Sequence, residues 1–287
     1  MVKVLLERIK TALILAAGFI IISTQSSILI FNLLISGSMI FVAWEWCSLV
    51  GFFNRSSKII FASGFIAIVI FLYLKLGLAP ESTQINEELS LAILSSGVFF
   101  WIISTFFLYH YPKYTNSWNG RFKLSIVGLL TIIPAWNGMI ILKILNPNGY
   151  LLLLIVILVA ATDVGAYFMG KSFGRRKLAE ELSPNKTWEG VLGGSAACIL
   201  ATILLMPLAN VLIPEADGIS SLSSLLLVLS IIFFSIIGDL LESMLKRNQG
   251  IKDSGDLLPG HGGILDRIDG LLAAVPCFTL ILFMITR

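Results

Sequence analysis

Charge is what this chain has least of. Asp, Glu, Lys and Arg make up 13% of its 287 residues, about half of the roughly 25% found in soluble domains. So few charges cannot clothe a water-facing surface, which excludes an ordinary soluble globule. Cysteine is sparse too. Cys47, Cys198 and Cys277 lie in or beside apolar blocks with no CxxC or Cys/His spacing. They read as small buried hydrophobes, not as a disulfide framework or a zinc site. No basic patch stands apart from the apolar blocks, so nucleic acid is not an expected partner. The chain also lacks a Pro/Ser/Gly linker, an internal repeat of the transporter kind and a Ser-His-Asp or Cys-His constellation. No A-x-A-like site follows the first apolar run, and a second run begins almost at once. Residues 1–24 are therefore expected to be an uncleaved first span rather than a signal peptide.

What the chain has is apolar sequence, 57% hydrophobic with a mean hydropathy of +0.93. A helix needs about 20 residues to cross the hydrocarbon. Apolar blocks near 11–24, 26–50, 58–78, 91–111, 124–144, 149–170, 189–213, 222–245 and 268–286 predict an all-α, polytopic transmembrane bundle of about nine spans. The first pair is the least distinct, because only Thr24-Gln25-Ser26-Ser27 breaks it. Spans one to five form an N-terminal part, 1–145. Spans six to nine form a C-terminal catalytic part, 146–287, with loops 171–188 and 246–267, and the two parts are expected to make one structural unit. With the N-terminus in the cytoplasm, every Lys and Arg falls on an inner segment except Lys75, Lys143 and Arg287. The outer loops carry Glu81, Glu87, Glu88, Glu215 and Asp217 instead. That distribution follows the positive-inside rule and predicts an inner N-terminus and an outer C-terminus. Trp44, Trp46, Trp101 and Trp118 are expected to anchor near the membrane interfaces.

Four acids fall inside the spans: Glu45, Asp163, Asp239 and Glu242. An acid in lipid needs a partner or a watery cavity. At 1.5 Å per residue, all four lie within roughly 5–10 Å of the inner boundary, which predicts a polar cavity opening to the cytoplasm, walled by spans six and eight. The long loops run directly from those spans. One holds Ser183-Pro-Asn-Lys186-Thr187 before span seven. Lysine and hydroxyls beside a helix start suit an anion site, and membrane-surface lysines with an ordinary helix cap are the alternative. Asp239, Glu242, Ser243 and Lys246 recur at i, i+3, i+4 and i+7, a polar stripe on an apolar helix. Asp266 and Asp269 share one face at the start of span nine. Two acidic faces joined by a glycine-rich turn suit Mg²⁺, usually held by one or two carboxylates plus phosphates and water, while Lys and Arg alongside balance remaining phosphate charge. The alternative is a salt-bridge network without catalysis. Gly190 and Gly194 have the small-xxx-small spacing of helix packing.

Ser243-Met-Leu-Lys246-Arg247, then Lys252-Asp253, then Pro259-Gly-His261-Gly262-Gly263-Ile-Leu-Asp266-Arg267-Ile-Asp269 resembles the C-terminal motif of the phosphatidate cytidylyltransferase (CDP-diacylglycerol synthase) family. The likeness extends over roughly 160–287, whereas the first 150 residues resemble that family only in length and hydropathy. The resemblance implies a Mg²⁺-dependent nucleotidyltransferase of phospholipid biosynthesis, with room for a second metal ion, joining CTP to phosphatidate. It implies an integral protein of a bacterial inner membrane, among membrane lipids, often a homodimer, with the site facing the cytoplasm. It implies catalytic roles for Asp239, Ser243, Lys246, Arg247, Lys252, Asp253, His261, Asp266, Arg267 and Asp269, and substrate contacts from Asp163, Ser183, Lys186, Thr187, Gly262 and Gly263. Asp239 and Asp266 are the implied metal ligands. Two other readings remain at this point. A CTP-dependent polyprenol kinase would share the nucleotide handling. A cation-coupled transporter would place its acids nearer the midplane.

Overall fold

The computed structural model describes residues 2–78, 85–213, 220–257 and 262–285, without the side chains of 2–10, 12 and 116. Among the described residues, nine long helices follow the expected spans: α1 (Val2–Gln25), α2 (Ile28–Val50), α3 (Arg55–Lys75), α4 (Glu87–Tyr109), then, after the one-turn α5 (Thr115–Trp118), α6 (Arg121–Leu145), α7 (Tyr150–Phe173), α8 (Trp188–Leu212), α9 (Ser221–Gln249) and α10 (Leu265–Ile285). Among the described residues, eight are long and apolar enough to cross a membrane, and α1 contributes a shorter apolar stretch, Leu13–Gln25.

The helix ends are written locally. Ser27, Asn86, Thr187 and Ser220 each accept a hydrogen bond from a backbone N–H of the first turn of α2, α4, α8 and α9, satisfying a donor the helix itself cannot. Gly51 and Gly250 close α2 and α9 in the left-handed conformation, at φ 82° and 66°, where a Cβ would be strained.

The core centres on α6, α9 and α10. α6 and α10 are 67% buried along their apolar windows, whereas α3 and α8 are only 17% buried and present apolar flanks outward. α10 packs on α9, α6 and α4, and α2 packs on α6, so the two parts of the chain interlock. Between helices the polar groups find each other, as apolar surroundings require. The Ser90 hydroxyl meets the Asn137 amide at 2.9 Å, and Trp136 Nε1 donates to Ser36 Oγ at 2.9 Å. α7 and α8 are the most intimate pair. A Cβ on Gly194 would come within 2.6 Å of the Thr162 carbonyl, which accounts for the Gly190/Gly194 spacing as packing.

The bundle is all-α as expected, with one small addition: β1 (Lys177–Ala179) and β2 (Ser183–Thr187) form an antiparallel hairpin inside the 171–188 loop, with Lys177 opposite Thr187 and Ala179 opposite Ser183. The Glu189 carboxylate, in the first turn of α8, accepts from the Arg175 and Arg176 N–H groups and ties the hairpin down. The expectation for tryptophan needs correction: Trp46, Trp101 and Trp118 are buried in the core, not spread at an interface. Trp46 Nε1 donates to the Leu124 carbonyl at 3.0 Å, a bond between helices that hydropathy cannot register. Lys143, near the end of α6, is not presented to water. It is wholly buried and donates at 2.5 Å to the carbonyls of Ser23 and Pro147, tying α1 to the α6–α7 turn.

Candidate active site

The acids of α7, α9 and α10 gather at the end of the bundle that carries the hairpin and the 250–264 loop. Gly238 lets α9 press against α10 beside the Asp269 carbonyl, where any Cβ would collide. That close approach brings Asp239 and Asp269 into electrostatic range of each other, and of Asp163 from α7. Lys186 reaches across from β2 and pairs with Asp239 Oδ2 at 2.6 Å, while Ser243 Oγ donates to Asp239 Oδ1 at a long 3.4 Å. Asp163, Ser183, Lys186, Thr187 and Asp239 line one cavity of about 320 Å³. Its other walls are mainly apolar, among them Ala166, Leu178, Val191 and Ile236, with Thr162 and Asn185 as further polar groups.

A second cluster lies one helical turn along α9. Lys246 Nζ sits 2.7 Å from Glu242 Oε2 and 2.7 Å from Asp266 Oδ1, one ammonium between two carboxylates of different helices. Asp266 also accepts from the N–H groups of Ser254 (3.0 Å) and Gly263 (2.8 Å), which brings these two backbone segments together around it. The N-terminus of α10 is held from a distance. Glu45 of α2, 2% exposed, accepts from Ile264 N–H at 3.0 Å and from Leu265 N–H at 2.8 Å. The loop wraps that carboxylate so closely that a Cβ on Gly255 or Gly263 would strike it, at 2.7 and 2.6 Å.

The residues singled out by sequence thus divide. Asp163, Ser183, Lys186, Thr187 and Asp239 share the first cavity, with Asp269 and Ser243 beside it. Lys246, Asp266 and Gly263 form the second cluster. Thr187 is also the cap of α8, its hydroxyl accepting from Gly190 N–H at 3.1 Å. Gly262 takes a left-handed φ of 79° beside Asp253 and Asp266. Arg247 turns away and donates through Nε to the Leu182 carbonyl at 3.3 Å, bracing the hairpin on α9. Lys252, Asp253 and Arg267 are exposed. His261 lies outside the described residues. Asp239 and Asp266, expected as a pair, are each engaged by a different lysine. Sequence reasoning marked Glu45 only by its depth in the membrane and gave it no role. Its partners are 219 and 220 residues away, so no local spacing announces them.

Among the described residues, no three His, Cys, Asp or Glu side chains gather closely enough to hold a metal ion by themselves. The donor set of the first cavity nevertheless fits a divalent cation. Asp163, Asp239 and Asp269 are three acidic groups facing a single ammonium, Lys186. A hard cation that keeps its waters takes only one or two protein carboxylates and completes its shell with phosphate oxygens. Asp266, by contrast, is engaged by Lys246, Ser254 and Gly263 together.

Acids and lysines facing one another beside a largely apolar cavity define a charged, solvent-reachable site in a helical membrane bundle, of the kind a membrane enzyme uses. Over residues 6–285 the chain matches the model of the cytidylyltransferase family, and it belongs to that family. It is 38% identical to phosphatidate cytidylyltransferase of Pseudomonas aeruginosa over 96% of both chains. It is 33% identical to the Haemophilus influenzae protein of that name over 97% of this chain and 99% of the relative. The Bacillus subtilis protein of that name shares 43% identity over 57% of this chain and 61% of its own.

Proposed function

We propose that this chain is the enzyme that converts CTP and phosphatidate into CDP-diacylglycerol and pyrophosphate. The observation that carries this reading is the cavity in which Lys186, Asp163 and Asp239 meet apolar walls from α7, α8 and α9. A lipid phosphate can sit beside the lysine with its tails against the apolar wall.

The phosphatidate phosphate is already anionic near neutral pH, so no strong general base is needed. Its oxygen bonds to the α-phosphorus of CTP, the bond from that phosphorus to the β-bridging oxygen breaks, and pyrophosphate leaves with the electron pair. The obstacle is bringing two polyanions together, and catalysis of such transfers is mainly positioning and charge compensation. Lys186 and Lys246 are the nearest ammonium groups. Each is neutralised by carboxylates until phosphate arrives, so each can exchange a carboxylate partner for a phosphate oxygen. Mg²⁺, with Asp239, Asp163 and Asp269 as the residues that would hold it, would supply Lewis-acid charge neutralisation; a second ion belongs to the same expectation.

The loop-bearing end is assigned to the cytoplasm, because Lys and Arg concentrate there and CTP is found there. A bacterial inner membrane is supported by the organisms of the relatives, and a homodimer by the family resemblance alone. Purified protein in micelles with labelled CTP, phosphatidate and Mg²⁺ tests the reaction. CDP-lipid and pyrophosphate are expected in equal amounts. Phosphorylated lipid with CDP, or no product, refutes it.

A further inference from the structure

A second cavity, of about 260 Å³, lies between the end of α2, the α2–α3 turn with the start of α3, and residues 251–257. We propose that it receives the cytosine ring of the nucleotide, an inference that rests on CTP being a substrate. Its lining has the three parts a pyrimidine reader needs. Trp44 and Phe53 supply aromatic faces, and base–aromatic stacking is a general source of nucleotide affinity. Lys58 supplies a donor for the ring carbonyl: its Nζ stands 5.7 Å from the Trp44 ring centroid and 3.4 Å from Ser48 Oγ. Asp256, exposed at the cavity rim, supplies an acceptor for the exocyclic amine. A carboxylate accepting from the cytosine N4 amine is a favoured pairing. Uracil presents an oxygen at that position, which a carboxylate repels.

The position of the cavity fits the chemistry. Ser254 is in its lining, and Ser254 N–H donates to the Asp266 carboxylate that holds Lys246. A base seated beside Trp44 therefore sends its triphosphate over Ser254 toward Lys246. The apolar-walled cavity of Lys186 stays free for the lipid. The two substrates enter from separate sides of one loop and meet at the carboxylates of α9 and α10. Glu45, in the same lining, fixes that loop to α2, so the base site and the catalytic loop share one anchor.

The test uses the full chain in micelles. Trp44→Ala is expected to raise KM for CTP about tenfold, leaving kcat at saturating CTP and KM for phosphatidate within twofold of wild type. Trp44→Phe, which keeps a ring, is expected to restore most of the affinity. Asp256→Asn, whose amide can also donate, is expected to lower the CTP-to-UTP ratio of kcat/KM about tenfold. Calorimetric titration of CTP into wild type and Trp44→Ala without phosphatidate gives a second measurement that needs no turnover. An active wild type with unchanged CTP affinity in Trp44→Ala and an unchanged CTP-to-UTP ratio in Asp256→Asn overturns the base site and leaves the proposed reaction standing. A wild type that forms no CDP-lipid overturns the reaction instead. The titration still decides the base site: equal CTP affinity in the two proteins, or no CTP binding by wild type, refutes it.

Discussion

Replacing Glu45 by alanine removes the acceptor of two backbone N–H groups, those of Ile264 and Leu265, at the very start of α10. A buried donor left without a partner costs about 1–3 kcal/mol, so two of them come to roughly 2–6 kcal/mol. The cavity beside Glu45 lets water reach part of the gap, which favours the lower half, about 2–4 kcal/mol. At 1.4 kcal/mol per tenfold, that lowers the population of the closed arrangement of residues 262–265 by roughly 30- to 1,000-fold relative to its open forms. α2 does not depend on the carboxylate for its helix, so the variant is expected to insert and keep its helical circular dichroism. The loss falls on the loop that positions Asp266 and Lys246. The expected result is a fall in kcat/KM for CDP-lipid formation, with faster hydrogen exchange confined to the amides around Gly263–Leu265. Glu45→Gln keeps one acceptor oxygen and should fall between wild type and alanine. If Glu45→Ala retains wild-type kcat/KM and wild-type exchange at Ile264 and Leu265, the account of this carboxylate as the clamp on α10 is wrong.

Asp239→Asn and Asp266→Asn should each insert normally yet lose Mg²⁺-dependent CDP-lipid formation by orders of magnitude. Near-normal turnover in both removes them from the catalytic machinery. Gly263→Ala places a methyl group against Ser254 Oγ and Glu45 Oε2, so it should destabilise the loop by about 1–3 kcal/mol, as overpacking does, and reduce turnover more than it lowers the melting temperature. Wild-type activity in that variant contradicts the packing of the loop. Trp46→Phe removes the bond to the Leu124 carbonyl, expected to cost about 0.6–1.5 kcal/mol. Thermal unfolding in detergent should shift down with kcat unchanged, and an unshifted melting temperature would return Trp46 to the role of an interface anchor.

The spans were legible because each is a local property. A run of apolar residues long enough to cross needs no knowledge of its neighbours, and the expected blocks fall on the long helices α2–α4 and α6–α10. The stripe of Asp239, Glu242, Ser243 and Lys246 was legible for the same reason, since helical spacing puts those residues on one face. Pairing was not legible. Spacing alone would allow Asp239 and Lys246 of the stripe to neutralise each other, yet Asp239 pairs with Lys186 of the hairpin, and Lys246 bridges Glu242 to Asp266 of α10. Spacing fixes which residues share a face but not what that face meets. Tryptophan misled for a related reason. Its amphipathic ring suits an interface, but a buried carbonyl such as that of Leu124 satisfies its N–H equally well.

One consequence follows from that pairing. Lys186 and Lys246 are both paired with carboxylates before any substrate binds, and among the described residues five carboxyl groups, those of Asp163, Asp239, Asp269, Glu242 and Asp266, gather around these two ammonium groups. Carboxyl groups in excess of ammonium groups disfavour a polyanion, so this composition favours a cation arriving with the phosphate. The proposed divalent ion would therefore answer the charge arrangement as well as the chemical step. CTP binding measured calorimetrically should weaken when Mg²⁺ is replaced by a chelator, even with phosphatidate absent. Equal CTP affinity with and without the ion would show that the carboxylates are neutralised in some other way, and the charge argument for the metal would fall with it.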